Sequence, residues 1–90
     1  MDVEYTTRVH KEGRLYVAHA QEHDVSSAGA SIEDACSHLR EAVELFLEEA
    51  ERMGTLTAIL EEGGYVRVGD EWRPPQVLAT ERTRVPVGSR

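Results

Sequence analysis

The 90-residue chain has one cysteine and no asparagine, and Lys11 is its only lysine. Cys36 has no second thiol to pair with, so an internal disulfide is excluded and a reducing compartment is expected. No apolar run approaches the roughly 18 residues of a membrane span. No signal-peptide core follows Met1, so a soluble cytoplasmic domain is expected. The chain also lacks a phosphate-cradling loop, because Gly63-Gly64 and Gly69 carry neither the P-loop pattern nor its lysine. Aromatics make up only 6% of the residues. Tyr5, Tyr16, Tyr65 and Phe46 are not interleaved with basic side chains, which argues against a stacking platform for RNA. Positive charge is scarce too. Ten Lys and Arg face 17 Asp and Glu, a formal net charge of −7. That balance argues against a free-standing nucleic-acid binder. Arginine in place of lysine, with no asparagine, suits a GC-rich or heat-tolerant source.

Ninety residues are enough for a single domain with one modest core, with the core over 4–54 and a C-terminal extension over 55–90. A chain of this size buries only about 60–65% of its unfolded surface, so a deep substrate cavity would compete with that core. The charge is unevenly placed. Residues 1–72 hold 16 acids and 6 bases (net −10), whereas residues 73–90 hold Glu81 against Arg73, Arg82, Arg84 and Arg90 (net +3). The default expectation is a basic tail folded back on an acidic body; the sharper one is a basic arm reaching for an acidic partner.

Val3, Tyr5, Thr7 and Val9 alternate with polar residues, the pattern of a half-buried strand. Gly13 supplies the turn into a second strand, Leu15 to Ala20, and Val25 to Gly29 reads as a third. The strongest element follows. Ser31 is a helix N-cap with Glu33 and Asp34 in the first turn. Ile32, Cys36, Leu39, Val43, Phe46, Ala50 and Met53 recur at spacings of three and four, and Gly54 stops the run. The result is an amphipathic helix of about six turns, about 33 Å long. Leu45 lies off its stripe. A short second helix is expected around Leu56, Ile59 and Leu60, capped by Thr55 or Thr57 and stopped by Gly63-Gly64. Tyr65 to Val68 alternates like a strand, Gly69-Asp70 is a turn, and Trp72 reads as a lid over the core edge. Gln76 to Val87 has the Val and Thr content of a last strand, with Pro86 at its edge or end. The fold class is therefore α+β, a small antiparallel sheet (β-β-β-α-β) with one long helix on one face.

Residues 4–49 resemble the HicB antitoxin family. The residues that carry the resemblance are Glu22 and Asp24 in an acidic loop, Val25 in the short strand after it, Gly29, and the Ser31 cap. They continue with Glu33-Asp34-Ala35 and the helical run Glu44-Leu45-Phe46-Leu47-Glu48. Where family members often have Pro and Leu flanking the acidic Glu, this chain has Gln21 and His23. No ribbon-helix-helix or helix-turn-helix module is legible after Gly54, so the chain resembles a short stand-alone branch, and operator binding is not implied. The resemblance implies a partly RNase H-like fold. It also implies a role in binding HicA, a small basic RNA-cleaving toxin, and covering its catalytic face.

Catalytic chemistry has little to stand on. A metal-dependent nuclease needs clustered carboxylates, but the first strand offers only Glu4 and Glu12, at its opposite ends. His19 and His23 are four apart, yet they span a strand end and a loop, so the default reading for His10, His19, His23 and His38 is surface histidines with no metal. Cys36 falls on the apolar stripe and reads as a small hydrophobe. The expected function is protein binding without catalysis or cofactor, with a toxin-facing surface at His19, Glu22, His23 and Asp24. The alternative is an orphan homo-oligomer, because a three-stranded sheet leaves edges to pair and Val77–Val87 could be exchanged or paired between subunits.

Overall fold

A computed structural model describes residues 1–88. Two small sheets share one long helix. The first sheet is an antiparallel meander of β2 (Thr7–Glu12), β3 (Leu15–Ala20) and β4 (Val25–Gly29). Glu12 pairs with Leu15, so the β2–β3 turn has two central residues. Only the first of them, Gly13, has a positive φ (62°). That is the type II′ geometry, whose twist matches that of the flanking strands. Alternation then sorts the faces. Ala18 and Ala20 are fully buried toward the helix, Val9 packs beside them, and Val17 and His19 fall on the other face.

Helix α1 (Ile32–Arg52) starts where Ser31 Oγ accepts a hydrogen bond from Asp34 N at 3.0 Å, with Glu33 and Asp34 in the first turn and Arg52 in the last. Acids near the N-terminus and a base near the C-terminus both oppose the helix dipole favourably. The chain leaves the helix through Gly54, at φ 75°. The buried face is narrower than the periodicity suggests: Ala35, Leu39, Val43 and Ala50 are buried, while Ile32 and Met53 are more than half exposed. The corrected picture has a helix whose two ends overhang the surface beneath them. Cys36 is half-buried against the first core.

The C-terminal half of α1 covers a second core. There Ala50 meets Leu56 and Leu60 from α2 (Leu56–Glu62), together with Tyr65 and Trp72. Leu47 packs against both cores and joins them. Thr55 occupies the N-cap position of α2 but makes no side-chain cap; its hydroxyl donates to Ala50 O instead. Under α2 lies the second sheet, in the order β1 (Asp2–Val3), β6 (Glu71–Arg73), β5 (Val66–Val68). β5 and β6 form a tight hairpin through Gly69, and β1 joins β6 in parallel, Val3 opposite Trp72.

Two expectations need correction. The alternating run from Val3 to Val9 is two strands in two sheets, because residues 4–6 cross between them. The backbone groups of Glu4 and Thr6 find partners: Glu4 N donates to Trp72 O, Gln21 N donates to Thr6 O, and Thr6 N donates to Glu22 Oε1. Satisfying these groups locally removes the need for a continuous ladder. Residues 74–88 contain no strand, although Gln76 to Val87 has strand composition. Pro74-Pro75 starts this arm without backbone donors. Trp72, expected as a lid over the core edge, is a buried member of the second core, 6% exposed.

Gly29 decides how close α1 lies to the sheet. A Cβ there would sit 2.5 Å from Ala35 N and 2.8 Å from the Asp34 carbonyl carbon, both backbone atoms that cannot rotate away. Gly29→Ala is expected to destabilise the domain by about 1–3 kcal/mol. Thermal unfolding followed by circular dichroism should then show a melting temperature lower by about 4–8 °C per kcal/mol.

Candidate functional site

The four-residue loop Gln21–Asp24 joins β3 to β4 and carries the acidic motif. Ala20 O accepts from both His23 N (3.3 Å) and Asp24 N (2.9 Å), which closes the loop tightly. Asp24 completes the turn with φ 54°, the left-handed conformation that Asp tolerates better than most non-glycine residues.

The loop divides its residues between outside and inside. His19 and Asp24 face solvent, with His19 Nε2 2.8 Å from Asp24 Oδ1, and the Asp24 side chain is 95% exposed. Glu22 turns back instead. Its Oε1 accepts from Thr6 N at 2.8 Å and so fastens the crossing segment. His23, expected on the surface, is corrected to a half-buried packing residue. Its ring stacks on Tyr65 at 5.6 Å and 15°, with Phe46 at 5.5 Å and Tyr5 at 6.4 Å. His19 and His23 therefore do not converge, and among the described residues no three His, Cys, Asp or Glu side chains gather as metal ligands.

The hydrogen bonds around Tyr65 fix a tautomer. Tyr65 Oη donates its only proton to Glu4 O at 2.7 Å. His23 Nε2 lies 3.1 Å from the same oxygen, so it must be the donor there, and neutral His23 carries its proton on Nε2. Burial pushes the His23 pKa below its ordinary value, opposed by the Glu22 carboxylate. Burial first, then the carboxylates of Glu22 and Glu4, push the Tyr65 phenol well above its ordinary range. Tyr65 therefore keeps its proton and goes on donating to Glu4 O. His23, Tyr65 and Glu4 together clasp the loop of the first sheet to the second.

A second surface was legible only as an anomaly, Leu45 lying off the apolar stripe. In the structure Leu45 is 67% exposed on the outer side of α1. It lines a shallow depression of about 420 Å³ with Glu41, Glu44 and Glu48. An adjoining cleft of about 180 Å³ continues along Glu44, Glu48 and Glu51 to Val3 and Leu56. Arg40 pairs with Glu44 at 3.3 Å. Among the described residues, Glu41, Glu48 and Glu51 have no basic partner.

The depressed His23 pKa has a defined sign for stability. Between its folded pKa and the ordinary value near 6.5, the unfolded chain binds more protons. Stability is therefore complete above about pH 6.5 and declines as pH falls below it. Urea unfolding at about pH 7.5 and about pH 5.5 should show this loss, and His23→Phe, which keeps the stacked ring, should reduce it. Tyr65→Phe, which leaves Glu4 O without its donor, should cost about 1–2 kcal/mol at either pH. The chain matches no family model, no curated protein and no solved structure.

Proposed function

We propose that the chain is a non-catalytic, HicB-like antitoxin module that binds and masks a small, basic, RNA-cleaving toxin. The observation that carries this reading is the outer side of α1, where Glu41, Glu44 and Glu48 line a depression with the exposed Leu45 and Glu51 continues the acidic row along the adjoining cleft. A protein that grips RNA must present basic side chains to phosphates. A row of carboxylates three and four residues apart on a helix offers those side chains a substitute for the phosphates. An apolar residue at the centre of a charged rim is also the usual arrangement of a protein-binding patch. The body's net charge of −10 over residues 1–72 extends the attraction beyond the contact and favours fast, salt-sensitive association.

The acidic loop contributes differently from its four residues. His19 and Asp24 are available to a partner, while Glu22 and His23 hold the loop in shape through Thr6 and Tyr65. The loop thus supports the reading through the exposed Asp24 and the partly exposed His19.

Affinity capture from the native host should yield a stoichiometric basic partner below about 10 kDa, released by added salt. That partner should cleave RNA by itself and lose the activity when the chain is added back. Capture of no such partner, or a partner without RNA cleavage, overturns the reading. Glu22→Gln keeps an oxygen to accept from Thr6 N, so the double variant E22Q/D24N should fold normally. It should weaken binding about tenfold and flatten its salt dependence if the loop touches the partner. Unchanged binding in this variant, with loss in E41Q/E44Q/E48Q, places the interface on α1 instead.

A further inference from the structure

The C-terminal arm is a strand without a sheet. Residues 74–88 run beside β2 in the same direction: Pro74 to Val77 face Glu4 and Thr6 across one cleft, and Thr80 to Arg82 face Arg8 to His10 across another. Among the described residues a single hydrogen bond joins arm to body, Arg8 Nη2 donating to Thr80 Oγ1 at 3.2 Å. It is made by the far end of a long side chain, so the arm stands off from β2. The flanking clefts measure about 530 and 430 Å³. Among the described residues, no backbone hydrogen bond joins the arm to anything. Leu78 and Val87 are 86% and 92% exposed. The radius of gyration is 16.0 Å, against about 12 Å for a compact chain of this length.

The β2 edge is open in a matching way. Glu12 and Leu15 close a two-residue hairpin, and Thr6 O accepts from Gln21 N, so Thr6, Arg8, His10 and Glu12 direct their backbone groups toward β3. Thr7, Val9 and Lys11 direct theirs outward, to the edge that faces the arm. The opposite edge is guarded: His38 Nδ1 donates to Ala28 O at 2.8 Å. An unguarded edge and an unpaired, strand-forming arm on the same molecule are complementary halves of one pairing.

We propose that a second copy of this chain fills the gap between β2 and the arm with its own arm, and that the two arms lie side by side at the centre of a continuous sheet. A two-fold axis normal to the sheet gives the order β4-β3-β2-arm-arm-β2-β3-β4. Because each arm runs parallel to its own β2, every neighbouring pair in this order is antiparallel. Pro74-Pro75 and Pro86 bound the pairing segment at Gln76–Val85. Thr80 meets Arg8, which pairs with His19 on the face away from α1. Alternation then puts Val77, Ala79, Glu81, Thr83 and Val85 on the α1 side. Charge favours the exchange, since a pairing segment with Arg82 and Arg84 against Glu81 (net +1) enters a body of net −10 over residues 1–72. The dimer does not depend on the toxin and is tested on the purified chain alone.

Sedimentation equilibrium of the full chain should give twice the monomer mass at about 0.1 mM, with dissociation promoted by salt. In the dimer each arm has neighbours on both sides, so proline is excluded at consecutive positions whichever way each N–H points. Ala79→Pro and Thr80→Pro should each give monomers that lose the arm's strand signal but keep the helical circular dichroism and cooperative melting of the body, because neither position belongs to a core. R82E/R84E, which leaves the backbone free to pair, should weaken the dimer about tenfold or more at low salt. A wild-type monomer at about 0.1 mM, or a dimer that survives both proline variants, overturns the proposal.

Discussion

The contact between Gly29 and the first turn of α1 sets the separation of helix and sheet, and both cores are arranged around that separation. The strand surface under the helix is made of Ala18 and Ala20, and the helix answers with Ala35. Small residues on both sides let the backbones approach, and Leu39 and Val43 then fill the remaining space without exposure. Each such side chain, fully buried, contributes about 1.5–3 kcal/mol. A larger residue at position 29 would tilt or lift the helix at its N-terminus. Because α1 is a single helix of 21 residues, the displacement would carry to Ala50 and the second core. Leu47, shared by both cores, is where the two would feel it together.

What was legible in the sequence was local. The Gly13 turn, the Ser31 cap, the Gly54 stop and the period of α1 depend on residues within a few positions of one another. What was not legible depends on partners far along the chain. Nothing near Val3 shows that its neighbour is Trp72, or that residues 4–6 leave one sheet for another. The width of the helix face is also a long-range property, since Ile32 and Met53 are exposed only because the surfaces beneath α1 end before the helix does.

The acidic loop shows the same limit at the level of function. Glu22, His23 and Asp24 are adjacent and polar, and composition alone gives them one surface. A crossing backbone donor at Thr6 and the hydroxyl of Tyr65 separate them, taking Glu22 and His23 inward and leaving Asp24 with His19. Charged residues in a small domain are short of neutral alternatives for such duties, so a motif with one appearance holds two tasks. The outer side of α1 had the opposite fate. Its glutamates look like an ordinary solvated helix face until Leu45 is seen to lie among them.

The parallel pairing of β1 with β6 has a consequence for synthesis. Asp2 and its partner Glu71 are 69 positions apart in the chain. At about 5–20 residues per second, β1 leaves the ribosome some 3–14 s before the strand it needs exists. During that interval the meander and α1, whose contacts are mostly between neighbours in sequence, can close by themselves. Val3 must meanwhile stay uncommitted beside a growing sheet edge. The clasp from Tyr65 to Glu4 forms only near the end of that wait, so the second sheet closes the domain in time as well as in space.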